Sequence, residues 1–200
     1  MKEPFVEYMK NHLEDRTVLI ACGLPASYKT ETTEVTAAIK GYRILRTDLI
    51  RLEVLRGEDI FDEKVASDMD KRTMVYDEMF NMGRELTAGG CGVVFDATFV
   101  TQALRRRAAE VAASAGMPFV IQQTLCPKEV SLARIARRSK DNYESNALTE
   151  QAYTNNAARF EPVDLKDLKD RHPDLRVVHL IVDTTHDEVD RWFVTGKETV

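Results

Sequence analysis

The residues best placed to do chemistry sit together in Gly23-Leu24-Pro25-Ala26-Ser27-Tyr28-Lys29-Thr30. They resemble a phosphate-binding loop, G-x-x-x-x-G-K-[ST], in which backbone N–H groups wrap phosphates, the lysine reaches the β and γ phosphates, and the hydroxyl serves Mg²⁺. Gly23, Lys29 and Thr30 are in place, Pro25, Ala26 and Ser27 form the intervening wall, and Tyr28 stands where the pattern has glycine. Three further groups follow. Asp48 and Arg51 are three apart, so a helix there puts them on one face; they read either as a base with an anion-holding cation, or as an N-cap with a solvated arginine. Asp96, closing the apolar run Val93-Val94-Phe95, suits Mg²⁺ binding through water or capping of the next helix. Arg134, Arg137 and Arg138 share a helical face that is either solvated or swings over a transferring phosphoryl.

Elements able to position these residues are legible. Apolar runs at 18–22, 42–45, 93–95, 119–125 and 177–182 alternate with helical patterns, the signature of βαβ units and a parallel sheet covered on both faces. In such a sheet ligands gather at the carboxyl ends of the strands, which is where the groups above fall. Thr101 predicts a helix start and Gly116 its end, and a long helix carrying Met69, Val75, Tyr76, Met79 and Leu86 runs up to Gly89-Gly90. Thr185-x-x-Glu188 before Val189, Trp192 and Phe193 predicts a capped C-terminal helix. Residues 139–147 are polar and aperiodic, and 139–160 reads as a lid region.

Composition bounds the partners. Two hundred residues, 44% apolar, fit one domain over 1–200, and a net charge of −5 disfavours a broad nucleic-acid surface. Cys22, Cys91 and Cys126 are odd in number and far apart, which predicts reduced packing thiols; the four histidines lack metal-ligand spacing. No apolar run reaches membrane-spanning length and the charged start lacks a signal core, so a cytoplasmic location is expected.

In their order along the chain these pieces are similar to a known family, the small P-loop kinases that include phage polynucleotide 5′-hydroxyl kinase, zeta toxin and AAA-type kinases. The matching residues are the loop, Asp48 with Arg51, Leu86-x-x-Gly89 leading into Val93-Val94-Phe95-Asp96-Ala97-Thr98-Phe99, Arg134-x-x-x-Arg138, Ser145-Asn146-Ala147 and Phe160-Glu161-Pro162. The resemblance implies an α/β, three-layer P-loop NTPase fold with a five-stranded, mostly parallel sheet. It also implies that Lys29 and Thr30 hold ATP and Mg²⁺, that Asp48 is the base, and that Arg134 and Arg138 close over the γ-phosphate. The expected reaction is transfer of that phosphoryl to a hydroxyl on an anionic small molecule or a nucleic-acid end, the acidic net charge favouring the former. The alternative is a degenerate loop serving as a nucleotide-binding or regulatory module. Tyr28 divides them, because the loop favours a positive φ there and a non-glycine residue pays about 1–2 kcal/mol for it. The loop absorbs that strain, or distorts, or places the ring in the phosphate space.

Overall fold

A computed structural model describes residues 1–58, 68–137 and 149–200. Its elements in order are β1 (Glu3–Pro4), α1 (Phe5–His12), β2 (Val18–Cys22), α2 (Lys29–Lys40), β3 (Arg43–Arg46), α3 (Thr47–Val54), α4 (Met69–Ala88), β4 (Val93–Asp96) and α5 (Gln102–Ser114). There follow β5 (Phe119–Leu125), α6 (Lys128–Ala136), α7 (Glu150–Arg159), α8 (Leu165–Arg171), β6 (Val177–Asp183), a short 3₁₀ turn (Val189–Arg191) and β7 (Phe193–Thr199). Seven strands form one sheet in the order β1-β7-β6-β5-β2-β4-β3. The five from β6 to β3 are parallel, and β7 and β1 add antiparallel pairs at the β6 edge.

Every residue of β2 is buried, as a central strand with helices on both faces must be. Alternation sorts its side chains. Val18, Ile20 and Cys22 face a cluster containing Met79 and Phe80 of α4, Ala108 and Val111 of α5, and Leu168 of α8. Leu19 faces the opposite cluster, with Phe5 and Met9 of α1, Ala37 of α2 and Trp192. The result is a helix–sheet–helix sandwich, the α/β P-loop architecture expected. Close approach of α4 depends on Gly83, where a Cβ would lie 2.3 Å from the Phe95 ring. Local signals hold where they were strongest: Thr101 accepts from Leu104 N to cap α5, and α4 ends at Ala88, next to Gly89.

Two expectations change. The sheet has seven strands rather than five. The predicted C-terminal helix is only the three-residue 3₁₀ turn, after which the chain extends into β7. The Thr185 hydroxyl turns back to Asp183 Oδ1 at 2.6 Å instead of capping a helix, and the buried Trp192 donates its Nε1–H to His186 O at 2.8 Å. Burying that indole and pairing Phe193 to Thr199 with β6 outweighs one helical turn.

Candidate active site

The loop leaves β2 at Gly23, whose φ of +145° and a Cβ that would sit 2.7 Å from Thr124 O admit only glycine. Leu24 and Pro25 begin the turn, and the Ser27 hydroxyl donates to Leu24 O at 2.7 Å while meeting Thr124 Oγ1, also at 2.7 Å. Ala26 (φ +59°) and Tyr28 (φ +57°) are both left-handed, before α2 opens at Lys29 with no side-chain cap. Such alternation of left- and right-handed residues is the backbone pattern of nests that cradle anions, and here it leads into the N-terminus of α2. Across the loop Lys29 Nζ donates to Leu24 O at 2.7 Å.

Tyr28 takes the left-handed geometry favoured by glycine, and its side chain packs against the sheet face that carries Trp192. The Arg134 guanidinium lies 3.8 Å from the ring centroid, and the Trp192 ring follows at 5.5 Å. The phenol donates to Asp187 Oδ1 at 2.9 Å. Sequence reading put Arg134 over the nucleotide; the structure buries it beside the loop. Its guanidinium donates to Ala26 O (3.2 Å), Thr184 O (2.8 Å), Thr185 O (3.2 Å), His186 O (3.2 Å) and the Asp187 carboxylate (3.0 Å). So engaged, it ties the loop at Ala26 to the 184–187 turn. Arg137 is exposed and also pairs with Asp187. Arg138 and residues 139–148 of the expected lid lie outside the described residues.

Strand ends bring the acidic groups to the same place. The Thr30 hydroxyl donates to Asp96 Oδ2 at 2.9 Å, joining the start of α2 to the tip of β4, and Arg46 Nε stands 3.5 Å from the same carboxylate oxygen. Burial pushes the Asp96 carboxyl up, against the Thr30 hydrogen bond and the charge of Lys29. The segment after β3 is helical, so Asp48 and Arg51 do share α3. The Asp48 carboxyl is raised chiefly by burial; Arg51 opposes this, Asp96 adds to it, and Lys29 opposes it again. Asp48, Asp96 and Lys29 therefore sense one another's charge at one end of the sheet. Among the described residues no group of three or more His, Cys, Asp or Glu is arranged for a metal. Thr30 and Asp96 nevertheless fit Mg²⁺, a hard cation that takes one or two protein oxygens and keeps several waters. A cation there also relieves the burial cost of the Asp96 charge.

Three contributors were missed in the sequence. Asp187 ties Tyr28 to Arg134. Arg72 of α4 has its guanidinium pulled down by burial and then by like charges on Arg159 of α7 and Arg51 of α3, so the three arginines sense one another's charge. Arg105, fully buried, donates to Phe99 O (3.1 Å), Pro162 O (2.9 Å) and Glu161 O (2.7 Å), while Glu161 Oε2 accepts from Gln102 N at 2.5 Å. Phe160-Glu161-Pro162 is thereby fastened to the sheet end at the foot of α7. None of these had a local signal: each depends on residues dozens of positions away.

Comparison with solved structures gives the same architecture. A sugar kinase from Janibacter sp. HTCC2649 aligns over 84% of this chain and 85% of its own, at 15% identity and a TM-score of 0.56. A gluconokinase from Sinorhizobium meliloti 1021 aligns over 86% and 85%, at 17% identity and a TM-score of 0.58. The AvrRxo1-ORF1:-ORF2 complex, crystallised with ATP, aligns over 98% of this chain but 61% of the other, at 17% identity and a TM-score of 0.52. At these identities the likeness is one of fold. No curated protein matches in sequence. The family model for the AAA domain matches residues 18–163, from β2 past the Phe160-Glu161-Pro162 anchor, and the chain belongs to that AAA-domain family.

Proposed function

We propose that the chain is an ATP-dependent phosphotransferase that moves the γ-phosphoryl of ATP to the hydroxyl of an anionic acceptor. The observation that carries this reading is the convergence of Lys29, the Thr30–Asp96 pair and Asp48 on the carboxyl end of β2, β4 and β3. The kinase names of the fold neighbours, and the ATP in one of them, are consistent with it.

The chain's own groups divide the work. Amides of the cradle and Lys29 bind the β and γ phosphates and offset their charge. Asp48 accepts the proton of the acceptor hydroxyl as its oxygen bonds to the γ phosphorus; the bond to the β–γ bridging oxygen breaks and ADP leaves. Burial raises the Asp48 carboxyl above its ordinary value, which makes it a better proton acceptor near neutral pH. Mg²⁺ held by Thr30 and Asp96 would supply charge neutralisation at the phosphates. Arg51, with Arg72 and Arg159 beside it, favours an acceptor carrying phosphate or carboxylate. The overall charge of −5 favours a small metabolite over a polynucleotide. We rank the regulatory alternative second because Tyr28 keeps the left-handed turn and its side chain is engaged by Arg134, Trp192 and Asp187.

The test is a thermal-shift titration followed by transfer assays from labelled ATP to small phosphorylated alcohols and a 5′-hydroxyl oligonucleotide. Saturating Mg–ATP at a hundredfold its Kd adds about 2.7 kcal/mol to stability, and Lys29→Ala abolishes transfer while still folding. Absence of any shift at millimolar Mg–ATP, or full activity in Lys29→Ala, would sink the reading.

A further inference from the structure

The turn of a phosphate loop is held elsewhere by glycine, which has no side chain and so nothing for the rest of the fold to grip. Here the residue at that point has a large side chain, and each part of it is held. One ring face carries the Arg134 guanidinium at 3.8 Å, Trp192 stands 5.5 Å away at 35°, and the phenol reaches Asp187 at 2.9 Å. The holders are themselves fixed. Arg134 binds Ala26 O, the other left-handed residue of the loop, together with three successive carbonyls of the turn 184–186. Thr184 Oγ1 donates to Ser27 O at 2.9 Å, and Trp192 Nε1 returns to His186 O at 2.8 Å. Contacts from the turn after β6 thus reach residues 26, 27 and 28, directly or through Arg134.

We infer that Tyr28 is a positioning residue of the nucleotide loop, its side chain locking the left-handed turn against the 184–187 turn, Arg134 and Trp192 so that the cradle is formed before nucleotide arrives. The inference rests on the nucleotide-binding reading above and concerns how that site is held. Restoring the consensus glycine removes the grip and returns both signs of φ to the backbone. The cradle is then only part-populated, and apparent affinity falls by the populated fraction. The consensus residue is therefore the worse one in this chain.

Trp192 is the only tryptophan, so the stack reports on itself. The experiment titrates Mg–ATP into the full chain, following Trp192 fluorescence and thermal shift, with steady-state transfer kinetics for wild type, Tyr28→Gly, Tyr28→Phe and Asp187→Asn. Expected are a saturable change in Trp192 emission in wild type and at least a tenfold weaker Kd in Tyr28→Gly, with KM for ATP rising more than kcat falls. Tyr28→Phe keeps the stack but loses the phenol bond, and it and Asp187→Asn fall between. Equal or tighter nucleotide binding by Tyr28→Gly overturns the inference and leaves the proposed function standing. If Tyr28→Gly does not fold, the other two variants decide: Kd weakened severalfold in both upholds the inference, and wild-type Kd in both overturns it. A wild type that binds no nucleotide overturns both readings.

Discussion

At the scale of single residues, two side chains occupy conformations or charge states that cost free energy, and each is offset differently. A left-handed tyrosine costs about 1–2 kcal/mol. Against it stand a partly desolvated cation–π contact of about 1–2 kcal/mol and a hydrogen bond to Asp187 that solvent exposure weakens. The contacts of Tyr28 with Arg134 and Asp187 are therefore of the same order as its strain and offset it inside the folded protein. For Asp48 the compensation is incomplete: the charges of Arg51 and Lys29 oppose the cost of burial but do not cancel it. Its raised carboxyl means that the folded state holds the proton better than the unfolded chain, so its contribution to stability is present at low pH and is lost as pH rises through the folded value. At neutral pH the ionised Asp48 is a net cost to the free protein, which the proposed role as proton acceptor would account for. Asp48→Asn should accordingly raise the melting temperature of the ligand-free protein at pH 7–8 while lowering kcat by about 10²–10⁴. Calorimetry and a transfer assay on the same preparation check both halves. The wild-type kcat should fall on acidification at a pH above that of an ordinary aspartate, as the base becomes protonated; a profile flat down to the usual carboxylate range would remove Asp48 from the role.

Elements set which of these residues were legible. The five parallel strands and helices α2, α4 and α5 are local objects, each marked by its own apolar run, cap or glycine, and with α3, which the sequence left open, they bring Lys29, Thr30, Asp48 and Asp96 to one end of the sheet. β1 and β7 are not local objects. Their stability comes from pairing, Glu3 with Val194 and Val178 with Thr199, so no periodicity within Phe193–Thr199 announces an antiparallel edge. The Thr185-x-x-Glu188 letters misled because a capping box describes what a helix start can use, and here the Thr185 hydroxyl had a nearer acceptor in Asp183. Arg105 escaped for the same reason as β7. On its helix it is one of three consecutive arginines, and only the fold reveals that it alone is fully buried against Phe99, Glu161 and Pro162 carbonyls. Arg105→Leu leaves those acceptors buried without donors, a loss on the order of 3–5 kcal/mol. Arg107→Leu, whose partner Asp77 is exposed, should cost under about 1 kcal/mol. Urea denaturation of the two variants separates them, and equal losses would contradict the assigned role of Arg105 in fastening the Phe160-Glu161-Pro162 segment.

For the molecule as a whole, the carboxyl end of the sheet and its stability are coupled through protons. One buried and two half-buried groups pull in different directions on acidification. Asp48 and Asp96, raised by burial, gain relative stability as they take up protons. His179 on β6 does the reverse: burial first, and the charge of Arg105 second, pull its pKa from 6.5 down to about 4. Its folded form stays neutral, with Nε2 at 2.9 Å from Gln123 Oε1, while the unfolded chain binds a proton below pH 6.5. Between those values the unfolded state holds more protons, so the His179 contribution is complete above pH 6.5 and is lost progressively down to about pH 4. Discounted for partial solvent screening, that loss is on the order of 1–2 kcal/mol. His179→Gln keeps a hydrogen-bonding group on β6 and cannot titrate. The wild type minus variant difference in unfolding free energy, measured by urea denaturation at half-unit steps from pH 8 to pH 4, should therefore be constant down to about pH 6.5 and then slope against the wild type. The aspartates are present in both proteins and cancel, which isolates the histidine. A difference that stays level across the whole range would mean that His179 titrates in the folded protein as it does in water, and that the β5–β6 seam at Gln123 is open to solvent.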